Sequence, residues 1–138
     1  MNRTFKHPSE SFSIQGNVKT SSKDVKIPEG LYLIGHLIVP EAHLTIEGNL
    51  YASGDVVCAG LYVKGNINCS SIVALDDSVV VSKSIECKSI YSFGDIIAEE
   101  YIECENCSAG GVIDCLDIDS NGNPIIAEEL VCRTLLED

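Results

Sequence analysis

The triplets Ile67-Asn-Cys69, Ile85-Glu-Cys87 and Ile102-Glu-Cys104 superimpose at steps of 18 and 17 residues, and Leu50-Tyr-Ala52 extends the series back by another 17. An apolar-polar-apolar triplet returning at that interval fits a β-solenoid, in which each coil lays a short strand on the strand before it. Adjacent strands lie about 4.8 Å apart. Cys69, Cys87 and Cys104 are therefore expected to form a buried column, where cysteine acts as a small apolar side chain. Asp at the mid-column position 87 is predicted to destabilise severely, because it buries an unpaired carboxylate, whereas Ala or Val is predicted to be tolerated.

A second pattern marks the corners. Ile14-Gln-Gly16-Asn-Val18 recurs as Leu33-Ile-Gly35-His-Leu37, Ile46-Glu-Gly48-Asn-Leu50, Ala52-Ser-Gly54-Asp-Val56 and Val63-Lys-Gly65-Asn-Ile67, with Ser92-Phe-Gly94-Asp-Ile96 as a variant. Gly supplies the positive φ or the open space of a corner, and the following Asn or Asp bonds to nearby backbone. Three strands then fit each coil. The expected fold is all-β: a single-stranded β-solenoid, three short strands per coil of about 17–18 residues. The segments run five, six and seven residues irregularly rather than in strict sixes, which favours right-handed winding over the left-handed hexapeptide helix.

The organisation along the chain follows. Residues 1–12 read as a flexible N-terminal tail, and residues 13–138 as the β-helix domain. The polar stretch Thr20 to Lys26 reads as a loop, and Pro40-Glu41 as a loose corner. Ser120-Asn-Gly-Asn-Pro124 is a tight-turn sequence between Leu116-Asp-Ile118 and Ile125-Ile126, predicting a hairpin-like insertion over about 116–125. Ile125-Ile-Ala-Glu-Glu-Leu-Val-Cys132 echoes Ile96-Ile-Ala-Glu-Glu, so a last partial coil follows. Leu130, Val131, Leu135 and Leu136 are expected to cover the open end of the core, which would otherwise be an edge ready to pair.

Composition agrees. Ile, Val, Leu and Cys dominate the apolar residues, Trp is absent and aromatics are 6%. Such side chains suit a narrow stacked interior. No apolar run is long enough for a membrane span. Met1 to Ser13 has no secretory h-region, so a cytoplasmic location is expected. The net charge of −12 is unevenly spread: residues 1–30 carry +2 and residues 31–138 carry −14. Phosphate-rich partners would be repelled and a basic protein surface attracted. The interaction residues expected on this ground are Glu99, Glu100, Glu103, Glu105, Asp114, Asp117, Glu128 and Glu129.

The Gly-Asn and Gly-Asp corners, best seen in Ile46-Glu-Gly-Asn-Leu50, Val63-Lys-Gly-Asn-Ile67 and Phe93-Gly-Asp-Ile96, resemble those of the bactofilins, a family of bacterial polymer-forming proteins. The resemblance covers roughly residues 31–115. It implies a right-handed β-helix with three strands per turn, self-association through the helix ends into a homo-oligomer or polymer, and no enzymatic activity. The many cysteines, the acidic C-terminal half and the turn at Asn121-Gly122 depart from the family's usual look.

No catalytic constellation is legible. Cys104-Glu-Asn-Cys107 lacks the second pair of a zinc site and the βαβ context of a redox motif, although Cys115 and Cys132 stand as possible further ligands. His36 occupies the corner position that Asn or Asp takes elsewhere. Asp76-Asp77, Glu99-Glu100 and Glu128-Glu129 read as solvated corners rather than calcium ligands. No cofactor and no metal is expected. Two functional readings remain: a non-enzymatic scaffold that self-associates, and a small acidic, nucleic-acid-mimicking inhibitor, of the kind phages encode, that occupies a basic groove on a partner.

Overall fold

The computed structural model describes residues 11–133. It is a parallel β-solenoid of three faces, each seven strands deep. Among the described residues there is no α-helix, and no helix is long and apolar enough to cross a membrane.

Face A stacks Ser11–Gln15, Gly30–Ile34, Leu50–Ala52, Ile67–Asn68, Ile85–Glu86, Tyr101–Glu103 and Asp117–Asp119, all parallel. Face B begins at Val18–Lys19 and ends at Ile125–Ile126, and face C begins at Asp24–Ile27 and ends at Glu129–Cys132. In two coils a single strand, Leu37–Ile46 or Asp55–Val63, turns the corner from B to C unbroken. The register shifts there between Val39 and His43, which places a bulge at Pro40-Glu41, the expected loose corner.

The core follows from strand alternation, which turns every second side chain inward. On face A the inward column runs Leu31, Leu50, Ile67, Ile85, Ile102, Ile118, one residue per coil in exact parallel register. On face C it runs Val25, Leu44, Leu61, Val79, Ile96, Ile113, Leu130. Burying one such aliphatic side chain stabilises by roughly 1.5–3 kcal/mol. The cysteine column exists: Cys69, Cys87 and Cys104 each follow the paired residues Asn68, Glu86 and Glu103, and Cys69 and Cys87 donate their N–H to the Glu86 and Glu103 carbonyls above. Cys69 and Cys104 are buried, but Cys87 is only half-buried. An Asp at position 87 would therefore keep some contact with water, and the severe penalty expected there belongs to the fully buried isoleucines beside it.

Three expectations need correction. Ser11 and Phe12 are not tail: their strand pairs with Gly30 and Leu31, and only residues 1–10 of the expected tail lie outside the described residues. The loop expected over Thr20 to Lys26 is shorter, because Asp24–Ile27 is a face C strand whose Val25 and Ile27 pack on the core beneath polar neighbours. The hairpin-like insertion near 116–125 is absent. Asp117–Asp119 pairs with Tyr101–Glu103, and Ile125–Ile126 pairs with Cys107 and Ser108, each parallel on the coil before. The turn sequence was read correctly, with Asn121 at φ 60° and Gly122 at φ 81°. It serves as a widened corner between two faces, because each flanking strand pairs with the coil before and not with the other flank. Leu130 is in the end column but 41% exposed, and Leu135 and Leu136 lie outside the described residues.

The corners carry a ladder of side chains. Asn49 Oδ1 accepts the Asn66 N–H at 2.8 Å, and Asn66 Oδ1 accepts the Ser84 N–H at 3.0 Å. His36 Nδ1 accepts the Asp55 N–H at 2.9 Å, Ser78 Oγ accepts the Asp95 N–H at 2.9 Å, and Asp95 Oδ1 accepts the Val112 N–H at 2.8 Å. Each bond satisfies a backbone donor one coil later. Among the described residues no buried side-chain nitrogen or oxygen is left unpaired.

Candidate interaction faces

Face A changes character along its length. Its outward column runs Tyr32, Tyr51, Asn68, Glu86, Glu103, Asp119. The first two rings stack at 4.7 Å and 16°. The last three place carboxylates on successive strands about 4.8 Å apart. Glu86 accepts a hydrogen bond from Tyr101 Oη at 2.9 Å, which holds that phenol above its ordinary pKa. Asp119 Oδ1 accepts the Asn121 N–H at 2.9 Å. Cations lie elsewhere: among the described residues Lys26 and Lys64 pair with Glu47 and Arg133 pairs with Asp114, and none reaches Glu86, Glu103 or Asp119. Like charges stacked in register repel and destabilise a sheet. Glu103→Gln is accordingly expected to raise the melting temperature by about 2 °C at low salt, and the gain should vanish in high salt; thermal melts at two ionic strengths check it.

The eight acids expected to form an interaction surface do not share one. Glu103 and Asp117 lie on face A, and Glu105 follows at its A/B corner. Glu99 and Glu100 occupy the corner leading into face A, where Glu100 accepts from Ser84 Oγ at 3.1 Å. Asp114 is on face C and is bound by Arg133 Nη1 at 2.7 Å. Glu129 begins the face C strand of the last coil, and Glu128 stands just before it. Sequence reading missed Glu86 and Asp119. The signal was present in the Ile-Glu-Cys triplets, whose central residue must point outward once the flanking pair points in.

Face B carries a different outward column: Lys19, Ile38, Val57, Val73, Tyr91, Ser108, Ile126. Leu75 and Phe93 stand beside it at the next corner, with Phe93 58% and Ile126 63% exposed. Parallel sheets are ordinarily covered on both faces, and their strands read as continuous apolar runs for that reason. Residues 37–39, 56–58 and 72–74 of face B have that pattern, with one side still open to solvent.

Among the described residues, no group of three or more His, Cys, Asp or Glu side chains is arranged to hold a metal ion. His36 and His43 sit at corners, each half-exposed and close to Asp55 and Asp77 respectively. No protein-family model matches the chain, nor does any curated protein or solved structure.

Proposed function

We propose that the protein is a non-enzymatic, self-associating scaffold. The observation that carries this reading is the apolar outward column of face B, with Leu75 and Phe93 beside it. Exposed apolar side chains gathered on one face mark a site of association. The resemblance to bactofilins supports the same reading. So does the stacking geometry: the first and last coils each have one strand neighbour per face among the described residues, and a head-to-tail contact between such ends propagates rather than closes. A cytoplasmic location fits this role.

Sedimentation of the full chain across a concentration series is the test. Oligomers that grow with concentration are expected, and Tyr91→Asp with Phe93→Asp should shift the distribution toward monomer by at least about tenfold in dissociation constant. A wild-type chain that stays monomeric at high concentration removes the reading.

A second reading has its own support in the carboxylates of face A: an acidic surface that engages a basic partner and excludes nucleic acid from it. Binding of a lysine-rich peptide should weaken steeply with salt and fall at least about tenfold in Glu103→Lys with Asp119→Lys. Binding indifferent to salt and to both substitutions would remove it.

A further inference from the structure

We infer that Cys104 and Cys107 form a dithiol site that closes to a disulfide on contact with a small neutral peroxide. Cys104 ends the face A strand of its coil and Cys107 enters face B, so the two side chains turn into the core from either side of one corner. Both side chains are buried there, three residues apart across the corner. Cys104 also lines a cleft of about 240 Å³ that opens at the surface, with Glu86, Cys87, Glu103, Glu105 and Asn121 as its other walls. A pair of thiols turned inward at one corner, one of them reached by a cleft, is the arrangement that disulfide closure uses.

The two thiols are not equivalent. The S–H that Cys107 donates holds the Cys104 thiol below its ordinary range, against the opposing effects of burial and Asp119. Burial instead pushes Cys58, Cys69 and Cys115 up to about 12. Of the two, Cys104 lines the cleft and Cys107 does not, so Cys104 is the attacking sulfur. Its thiolate attacks one oxygen of hydrogen peroxide, the O–O bond breaks, and the departing hydroxide takes up a proton to become water. Cys104 is then a sulfenic acid. Cys107 loses its proton, its sulfur attacks the Cys104 sulfur, and the S–O bond breaks with loss of a second water. Two thiols are oxidised by two electrons and one peroxide is reduced to two waters.

The cleft also selects the oxidant. Glu86, Glu103 and Glu105 repel anions and leave a neutral molecule unaffected. Oxidised glutathione, which is anionic, should react at least about tenfold more slowly at low salt than peroxide does relative to a free thiol standard.

Peptide mapping of the reduced full chain after peroxide treatment tests the assignment. Cleavage on the carboxyl side of Glu105 separates Cys104 from Cys107, so a disulfide between them holds the two fragments together. The expected first product is that linked pair, with five of the seven thiols still open to alkylation. In Cys107→Ser, oxidation should stop at a Cys104 sulfenic acid that a 1,3-diketone traps. In Glu103→Gln with Glu105→Gln, the glutathione reaction should accelerate while the peroxide reaction holds. A first bond between Cys87 and Cys104, or between the stacked Cys115 and Cys132, overturns the proposal, as does peroxide that leaves Cys104 and Cys107 reduced. Equal rates for the two oxidants in the wild type overturn the selectivity.

Discussion

Replacing Ile102 with Asp is expected to unfold the C-terminal coils at a cost of at least about 4 kcal/mol, while Ile102→Val costs about 1 kcal/mol. Ile102 has no exposed surface and lies between Ile85 and Ile118 in the face A column. A carboxylate there meets no cation, since its neighbours below and above in the column are the aliphatic Ile85 and Ile118. The damage should also be local. Each coil touches only the coils beside it, so stability sums over neighbour contacts along the axis. Hydrogen exchange is expected to accelerate in the amides of residues 85–133, while those of residues 31–63 keep their protection. Urea unfolding of the variant within about 1 kcal/mol of wild type, or uniform loss of protection along the chain, would contradict the column.

The parts of the fold that repeat were legible, and the parts that repeat weakly were not. Ile-x-Cys at a fixed step fixes strand, face and register together, because only one stacking places every isoleucine inside. The first coil was harder. Val25 and Ile27 form its face C strand, but they stand among Asp24, Lys23 and Lys26, and an end coil needs only one apolar side on one neighbour. Polar residues there are no argument against a strand. Asn121-Gly122 misled in the opposite way. Its turn chemistry is that of a hairpin, and backbone dihedrals alone do not say whether the strands it joins pair with each other or with a preceding coil. The expected interaction residues fall on different faces for a related reason. Charge was counted along the chain, whereas repulsion and recognition depend on which acids share a face. Glu128 and Asp114 are far from Glu103 by that measure, and Glu86, separated by a whole coil in sequence, is its neighbour.

The glycines at the corners have a purpose that the sequence pattern only half disclosed, and Gly111→Ala measures it. Few of them need a left-handed backbone: among the described residues the positive-φ glycines are Gly16, Gly35 and Gly122. At four of the others a Cβ would strike the ladder side chain of the coil before, Asn49 Oδ1 at Gly65, His36 Nδ1 at Gly54, Ser78 Oγ at Gly94 and Asp95 Oδ1 at Gly111. Gly and the polar residue one coil earlier are thus a socket and its plug. Gly111 isolates the effect, because the two nearest atoms that its Cβ would meet belong to Asp95, and the Gly94 carbonyl that comes next lies at an ordinary 3.4 Å. Alanine there is expected to cost about 2 kcal/mol by displacing a carboxylate that holds the Val112 N–H at 2.8 Å. Asp95→Ala alone should cost about the same, by leaving that donor without its partner. The double variant should cost about 2 kcal/mol as well, not about 4, because each substitution destroys the same contact and the first leaves nothing for the second to break. Urea denaturation of the four proteins gives the coupling directly. An additive result would mean that Gly111 serves its own backbone rather than the carboxylate beneath it, and the corner ladder would then be a consequence of stacking rather than one of its causes.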